Sequence, residues 1–367
     1  MSGGHLYGGI EQMLATFAAT TSVHIEQQFA VTAANRLSGE LRDMNAHVVA
    51  LPPARASRPL SVVTARRAFD RLLTELNPDA AIFHGSWTHA IFAEVARRRS
   101  CVLAFWQHAP IINPGWPDRW ASLIQPDVTI ANSRFTALAP LFSRSSPHVI
   151  YCPVLPPLTL SASERGAARE QLQVRESDVV VLMAARLEAW KGHAVLIAAA
   201  NRLKNTSAKF WIAGGVQRPS EQGYFEQLER AAAAGHSIAM LGQRRDVQRL
   251  MMLADVYCQP NTAPEPFGLA IAEAMSAGLP CVVSRSGGAA ELIDSECGVL
   301  TAPGDTDAVA QAIERLAVDR SRRVAMGTAA RTRAEMLTDP AARVEQLVDA
   351  LNQEPVCARA QTGAAIG

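Results

Sequence analysis

Two glutamates, Glu265 and Glu273, lie eight positions apart around a predicted helix start. Pro266 is tolerated only in the first turn of a helix, and Gly278 suits the residue just past a helix end. The pattern therefore predicts a helix from about Phe267 to Ala277, with one carboxylate before it and the second inside it. An amphipathic helix with two solvated glutamates is the alternative interpretation.

The first amides of a helix have no partner inside it, and the helix dipole favours an anion there. We therefore predict that the amides of Phe267, Gly268 and Leu269 bind a diphosphate, such as that of a sugar nucleotide. On this prediction Glu265 lies beside a sugar attached to the phosphate, and Glu273 accepts hydrogen bonds from ribose hydroxyls.

A second segment, Val181–His193, reads as a strand followed by a loop that carries Arg186 and Lys191 into a helix. Cations at a helix start oppose the helix dipole, so a merely structural role for both is unfavourable. Near the same diphosphate they would offset its charge and the charge that develops on a leaving group. The sequence thus predicts that side chains do the work of a metal ion.

These two segments resemble motifs of the retaining glycosyltransferases of family 4, also called glycosyl transferases group 1. Glu265 and Glu273 match its Glu-x7-Glu motif, and Arg186-Leu-x-x-x-Lys191-Gly matches a second motif, with Ala185 where glycine is usual. The resemblance implies transfer of a sugar from a UDP-, GDP- or ADP-sugar to an acceptor hydroxyl with its anomeric configuration kept. It implies no metal and no cofactor besides the donor.

Two mechanisms remain open under this resemblance. In the preferred one the diphosphate leaves first and takes the acceptor proton on the same face, while Glu265 orients the sugar and Arg186 and Lys191 stabilise the departing phosphate. In the other, Glu265 is the covalent nucleophile of a double displacement.

The resemblance adds weaker candidates in loops. Gly8-Gly9 matches a glycine loop that lies against the donor pyrophosphate, although glycines before a helix are also a common turn. The backbone of Gln243 and Arg244 is expected to contact the nucleotide base, but structural turns look the same. His108, at a strand end, matches a family histidine that touches donor sugar and acceptor, and it is predicted to be catalytic.

Other side chains receive smaller roles from their context. His84 also ends an apolar strand and is a weaker candidate than His108, whose own alternative is a histidine satisfied by backbone. Asp305-Thr-Asp307 resembles a metal motif, but acids and threonine before an apolar helix predict a cap. The histidines and cysteines lack zinc-site spacing.

Apolar segments alternate with helical patterns along the chain, which predicts an α/β fold with parallel sheets. The resemblance makes it the GT-B fold: two Rossmann-like domains that face each other across a cleft. The expected parts are an N-terminal acceptor-side domain (1–155), a C-terminal donor-side domain (156–339), a helix crossing back to the first domain (340–353) and a flexible tail (354–367). The predicted strands are His24–Thr32, Ala46–Leu51, Ala80–His84, Cys101–Gln107, Asp127–Ala131, Val179–Ala184, Lys209–Ala213, Ser237–Leu241, Val256–Gln259, Cys281–Ser284 and Val299–Thr301.

One departure from the family concerns the start of the chain. Family members open with a strand before the glycine loop, whereas this chain begins Met-Ser-Gly-Gly-His-Leu-Tyr-Gly-Gly. The first strand of the N-terminal domain is therefore expected to be missing, which would leave neighbouring strands without ladder partners. A late-assigned start, a trimmed chain or a rearranged sheet would each explain it.

Composition sets the broader frame. The 367 residues carry a formal charge of +1 and 19% charged residues, which indicates a soluble globular protein without affinity for nucleic acid. Six scattered cysteines and the lack of a signal or membrane-spanning segment favour the cytoplasm. The run Arg97-Arg98-Arg99 either touches anionic lipid at the inner face of a membrane or, as preferred, closes a helix end.

The expected partners are a nucleotide-sugar donor and a glycan, lipid-linked or small-molecule acceptor, in polysaccharide or glycoconjugate biosynthesis. Two alternative functions stay open: a sugar-nucleotide epimerase of the same fold, and a sugar-nucleotide-binding protein without turnover. A nicotinamide dehydrogenase is excluded because the chain has no Gly-x-Gly-x-x-Gly segment after an early strand.

Overall fold

A computed structural model describes residues 8–20, 25–32, 36–99, 101–142, 144, 146–203, 207–235 and 237–353. Over these ranges no helix combines the length and the apolar character needed to cross a bilayer. The described strands are β1 Gln28–Val31, β2 His47–Ala50, β3 Ala80–Phe83, β4 Val102–Gln107, β5 Val128–Ala131, β6 His148–Val149, β7 Val179–Ala184, β8 Ala208–Ala213, β9 Ile238–Gly242, β10 Val256–Gln259, β11 Cys281–Ser284 and β12 Gly298–Thr301.

The α-helices alternate with these strands. They are α1 Gly9–Ala19, α2 Arg36–Asp43, α3 Pro59–Leu76, α4 Ser86–Arg97, α5 Trp116–Ala121, α6 Arg134–Ala137, α7 Ala162–Gln171, α8 His193–Arg202, α9 Gln222–Ala233, α10 Val247–Leu253, α11 Leu269–Ser276, α12 Ala289–Leu292, α13 Thr306–Val318, α14 Arg320–Thr338 and α15 Pro340–Asn352. Every predicted strand has a counterpart here, and β6, only two residues long, was not predicted.

The chain divides into two compact units, Met1–Pro153 with Pro340–Gly367 and Val154–Asp339. The division at 153/154 lies two residues before the expected boundary at 155/156. Helix α15 belongs to the first unit, where it packs against α1. The expected tail, 354–367, lies outside the described residues.

The first unit contains two separate parallel sheets among its described strands, β1-β2 and β3-β4-β5-β6. Within the described part of the chain β1 pairs only with β2, and β3 only with β4. The larger sheet is covered by α3 and α4 through an aromatic core that includes Phe69, Phe83, Phe92 and Phe105.

The second unit is built on one parallel sheet of six strands in the order β12-β11-β10-β7-β8-β9. Strands β7, β10 and β11 are buried along their whole length, as expected of a parallel sheet with helices on both faces. Since β7 and β10 are neighbours and parallel, the loops that follow them begin at the same edge of the sheet.

The three consecutive arginines close α4 with ion pairs inside the first unit. The helix ends at Arg97, and the pairs are Arg97 with Asp127, Arg98 with Glu94 and Arg99 with Asp70. This agrees with the preferred interpretation of the run as a helix end.

Two helical glycines of the second unit differ in the space around them. A Cβ on Gly327 would lie 2.2 Å from the carbonyl oxygen of Gly278, whereas a Cβ on Gly166 would meet nothing within 4 Å. We predict that Gly327→Ala lowers the free energy of unfolding by about 1–3 kcal/mol through overpacking. Gly166→Ala should raise it by about 0.5–1 kcal/mol because alanine is the better helix former. Denaturant titration of both variants checks this, and equal effects would contradict the packing of α14 against the turn after α11.

Candidate functional site

The loops after β7 and β10 are joined at the edge of the second unit's sheet. The amide of Thr262 donates to the carbonyl of Trp190 over 2.8 Å. Gly192 has a φ of +84°, and a Cβ there would lie 1.9 Å from the carbonyl oxygen of Pro260. Only glycine allows this approach, so the Gly that follows Lys191 in the motif has a steric reason.

Glu265 is the centre of this junction. Its oxygen Oε2 accepts hydrogen bonds from Lys191 Nζ at 2.6 Å, Gln259 Nε2 at 2.8 Å and Asn261 Nδ2 at 2.9 Å. The glutamate is 7% exposed, and both amides are buried. The structure therefore brings the predicted Lys191 and Glu265 into direct contact. It also brings Gln259 and Asn261 to Glu265, which the sequence prediction missed. Their position at the end of an apolar strand could have indicated a role in the site.

The two predicted cations are each held by a carboxylate. Arg186 contacts Glu188 at 3.1 Å, and Lys191 contacts Glu265 at 2.6 Å. Lys191 also lies over the ring of Trp190, 4.1 Å from its centre. A diphosphate at this site would therefore exchange for, or share, existing carboxylate partners rather than meet unpaired cations.

Helix α11 starts later than predicted. It begins at Leu269, and Gly268 caps it with a φ of +99°, so the prediction of a start at Phe267 was wrong by two residues. Because the backbone of Gly268 is left-handed, Gly268 cannot be a helical residue, and the helix starts one residue after it. Gly268 and Leu269 still supply amides at the helix start, whereas Phe267 precedes it with a buried side chain. At the other end Gly278 has the expected left-handed φ of +80°.

The backbone on either side of the first motif glutamate is fixed by a glycine turn after β11. The amide of Gly288 donates to the carbonyl of Glu265 over 2.7 Å. Gly287 has a φ of +69°, and a Cβ there would lie 2.3 Å from the same oxygen. The Gly-Gly pair thus holds the Glu265 main chain in place.

Glu273 lies half-buried in the second turn of α11 and lines a small cavity with Met251 and Ser276.

Tyr257 of β10 is a buried phenol whose pKa is affected by both motif glutamates. Burial raises the pKa of Tyr257 well above its ordinary value, and the thiol of Cys281 and the carboxylates of Glu265 and Glu273 add to the rise. Tyr257 is therefore neutral, and its hydroxyl lies 2.8 Å from Gln259 Oε1 as a donor.

The predicted base-contacting turns lie side by side after β8 and β9. A Cβ on Gly215 would come within 2.6 Å of the amide nitrogen of Gln243, so this glycine allows the two turns to touch. The Arg244 guanidinium forms a two-pronged ion pair with Asp246 at 2.8 and 2.7 Å. The Arg244 side chain is thus held within its own turn, and a contact of the Gln243 and Arg244 backbone with a base stays a prediction.

In the first unit, Gly8 precedes α1 and Gly9 begins it. The side chain of Glu11 accepts a hydrogen bond from the Gly8 amide over 3.0 Å, and the buried Met13 and Phe17 anchor the helix. The glycine loop thus stands at a helix start, as its pattern predicted.

His84 and His108, treated separately by the sequence prediction, are hydrogen-bonded to each other. His84 Nδ1 lies 3.0 Å from His108 Nε2, and both rings stack with Trp106. Burial lowers the pKa of each imidazole below its ordinary value, most clearly for His84, which is 8% exposed. Two neutral imidazoles must share this bond as one donor and one acceptor.

Asp305 caps a helix, as its sequence context predicts. Its carboxylate accepts a hydrogen bond from the Ala308 amide over 2.9 Å at the start of α13. Within the described ranges no group of three or more His, Cys, Asp or Glu side chains could hold a metal ion. The five described cysteines are buried free thiols, and Cys357 lies outside the described residues.

Most of the second unit is similar in sequence to known glycosyltransferases. Residues 164–333 match the family model "Glycosyl transferases group 1". The chain is 32% identical over 166 residues to an uncharacterized glycosyltransferase of Methanocaldococcus jannaschii, covering 44% of this chain and 42% of that protein. It is 42% identical over 113 residues to a phosphatidyl-myo-inositol mannosyltransferase of Mycobacterium leprae, covering 29% and 30%. The matched segments thus span less than half the length of these curated relatives.

Solved structures are similar over nearly the whole chain. A crystal structure of Anabaena HepE with UDP and glucose superposes with a TM-score of 0.82 at 22% identity, covering 96% of this chain and 98% of that one. Sucrose-phosphate synthase of Thermosynechococcus elongatus gives a TM-score of 0.75 at 19% identity, covering 94% and 93%. At these identities the likeness concerns the fold: an α/β fold with parallel sheets in two Rossmann-like units, as in GT-B glycosyltransferases.

His193, the first residue of α8, is fully buried two residues after Lys191. Neither ring nitrogen has a hydrogen-bond partner of ordinary geometry. Burial, with a smaller contribution from the Lys191 charge, lowers the pKa of His193 to about 4, although the nearby carbonyls of Ala185 and Glu188 oppose the shift. Between about pH 4 and pH 6.5 the His193 ring is therefore neutral in the native protein, whereas it is protonated in the unfolded chain.

We predict a matching loss of stability in acid. Because the unfolded pKa is about 6.5 and the native one is lower, the His193 contribution is complete above pH 6.5 and falls as the pH drops towards 4. The loss reaches at most about 1.4 kcal/mol per pH unit. In denaturant titrations between pH 7.5 and 4.5, His193→Gln should lose stability less steeply than the parent chain. Parallel curves for the two proteins would contradict the assignment.

Proposed function

We propose that this chain is a retaining, metal-independent glycosyltransferase that moves a sugar from a nucleoside diphosphate sugar to an acceptor hydroxyl. The observation that supports this most directly is the contact of Lys191 with Glu265, which unites two motif loops beside the start of α11. A cation, helix-start amides and a carboxylate in one place suit a ligand with a diphosphate on one side and sugar hydroxyls on the other.

The donor side of the proposal assigns a task to each group. Arg186 and Lys191 would hold the diphosphate together with the amides of Gly268 and Leu269, and would stabilise the charge on the leaving phosphate. Glu273 would bind the ribose. Because cations of the chain supply the positive charge, the reaction is proposed to need neither a metal ion nor a cofactor.

The geometry around Glu265 favours an orienting role over a nucleophilic one. Its Oε2 accepts three hydrogen bonds, one of them from an ammonium group. Such donors reduce the electron density that a covalent nucleophile must offer. We therefore propose departure of the diphosphate and attack of the acceptor on the same face of the sugar, with Glu265 holding sugar hydroxyls. His108 stays a proposed catalytic residue of the first unit.

The names of similar proteins suggest donor and acceptor classes for testing. Anabaena HepE was solved with UDP-glucose, and a relative in Corynebacterium kroppenstedtii is named a D-inositol 3-phosphate glycosyltransferase. We propose a UDP-, GDP- or ADP-sugar as donor and a glycan, a lipid-linked or a small hydroxyl compound as acceptor. The proposed setting is polysaccharide or glycoconjugate biosynthesis in the cytoplasm, with peripheral contact at the inner face of a membrane as a further proposal.

The decisive experiment is nucleotide release from a panel of UDP-, GDP- and ADP-sugars. We expect one donor class to be turned over, with added glycan or polyol acceptors increasing the rate, and activity to survive EDTA. Loss of activity that a divalent ion restores would contradict metal independence. Binding of a sugar nucleotide without turnover of any donor would instead favour a binding protein, and a converted but untransferred sugar would favour an epimerase.

The proposed roles of Lys191 and Glu273 can be tested with Asp305, a helix-capping carboxylate of the same unit, as the control. We predict that Lys191→Ala and Glu273→Ala each weaken binding of the donor at least about tenfold, or about 1.4 kcal/mol, because each removes a charged contact. Asp305→Ala should leave binding unchanged and cost about 1 kcal/mol of stability as a lost helix cap. Calorimetric titration with thermal melting separates the two effects. Equal losses of affinity in all three variants would overturn the site.

A further inference from the structure

Two buried amide side chains, Gln259 and Asn261, donate hydrogen bonds to Glu265 in the proposed site. Resting on the proposed function, we infer that Gln259 and Asn261 are positioning residues that hold Glu265 by Oε2 and keep Oε1 available to a hydroxyl of the donor sugar. Neither amide is part of the motifs that identified the site. Both lie at the end of β10 and touch the glutamate directly.

The two oxygens of Glu265 are unequal. Oε2 accepts three hydrogen bonds, whereas Oε1 accepts none from the described residues. The Glu265 side chain keeps 9% of its surface exposed, so it is not fully closed to a ligand. One oxygen thus anchors the side chain, and the other is left for a ligand donor.

The hydrogen-bond network has one self-consistent arrangement. The Tyr257 hydroxyl lies 2.8 Å from Gln259 Oε1 and 3.1 Å from the carbonyl oxygen of Ala184. The Gln259 amide is oriented by the Glu265 carboxylate, which accepts a hydrogen bond from its N–H group and would repel its oxygen. Gln259 Nε2 then donates to Glu265 at 2.8 Å and to Asn261 Oδ1 at 3.0 Å. Turning either amide would place an oxygen against the carboxylate, so the network selects a single glutamate orientation.

Burial makes a purely structural role for this network costly. Tyr257 and Gln259 are 0% and 2% exposed, in a sheet whose neighbouring positions are apolar. Asn261, two residues after β10, is 3% exposed. Polar groups buried here cost free energy unless they are all satisfied, and apolar residues of similar volume would serve packing as well. Their donors converge on one carboxylate at the open edge of the sheet, which is what a positioning role requires.

The amides also explain how the site keeps its geometry when a donor binds. Lys191 is held by Glu265 and is the group proposed to contact the diphosphate. When the ammonium turns to the phosphate, Glu265 loses one of its three bonds and keeps the two amide bonds. The carboxylate therefore stays in place for the sugar while the lysine changes partner.

The test uses full-length Asn261→Asp and Gln259→Met, with Asn201→Asp as the matched control. The first substitution replaces the donor of Asn261 by a second negative charge beside Glu265. The second removes both side-chain N–H groups of Gln259 at similar length. Asn201 is half-buried on α8 in the same unit, where its amide donates to the Ala231 carbonyl over 3.1 Å. Each variant is measured with the donor chosen from the panel, with its free nucleoside diphosphate, and by thermal melting.

We expect kcat for nucleotide release to fall about 10- to 100-fold in both site variants, as for loss of a hydrogen bond to a charged group. In Gln259→Met, affinity for the free nucleoside diphosphate should stay within about twofold, since this ligand lacks the sugar that Glu265 contacts. In Asn261→Asp it should fall less than kcat, because the new carboxylate also repels the diphosphate. Asn201→Asp should match the parent chain in both. Unchanged kcat, or nucleotide affinity lost in step with kcat, would overturn the inference. Absence of nucleotide binding by the parent chain would instead overturn the proposed function.

Discussion

A nearly buried ion pair, Lys191 with Glu265, is the contact on which the second unit's candidate site depends. Removing two charges from water costs more than their attraction returns unless other hydrogen bonds support them. Here Gln259 and Asn261 supply that support. The pair can form only because β7 and β10 are neighbours in the sheet, so the strand order is a precondition of the site.

The same junction gives motif glycines a steric meaning. Gly192 and Gly287 both have left-handed backbones, and a side chain at either would collide with a main-chain oxygen of the β10–α11 segment. Their first role is thus to let three loops touch around Glu265. Gly268 has a different role, because its backbone sets where α11 begins and hence which amides face the edge of the sheet.

Much of the second unit was predictable because its strands are short apolar runs between turn residues. In the first unit, α15 begins at its predicted residue and ends one residue before the predicted end. Pattern alone does not give strand order, and so it could not place Gln259 and Asn261 against a glutamate from the next loop. The start of α11 was misplaced since Pro266 signals a first turn, while the left-handed Gly268 overrides it. Likewise, spacing along the chain gives no sign that His84 and His108 meet.

That histidine contact constrains what the first unit can offer a ligand. Strands β3 and β4 are adjacent, so the residues after them, His84 and His108, meet at one sheet edge. If His84 Nδ1 is the donor, His108 Nε2 is the acceptor, and the proton of neutral His108 must lie on its Nδ1. In that tautomer His108 presents an N–H to an incoming oxygen; in the reverse tautomer it presents a lone pair. The tautomer of His84 therefore decides whether His108 offers a ligand a hydrogen-bond donor or an acceptor.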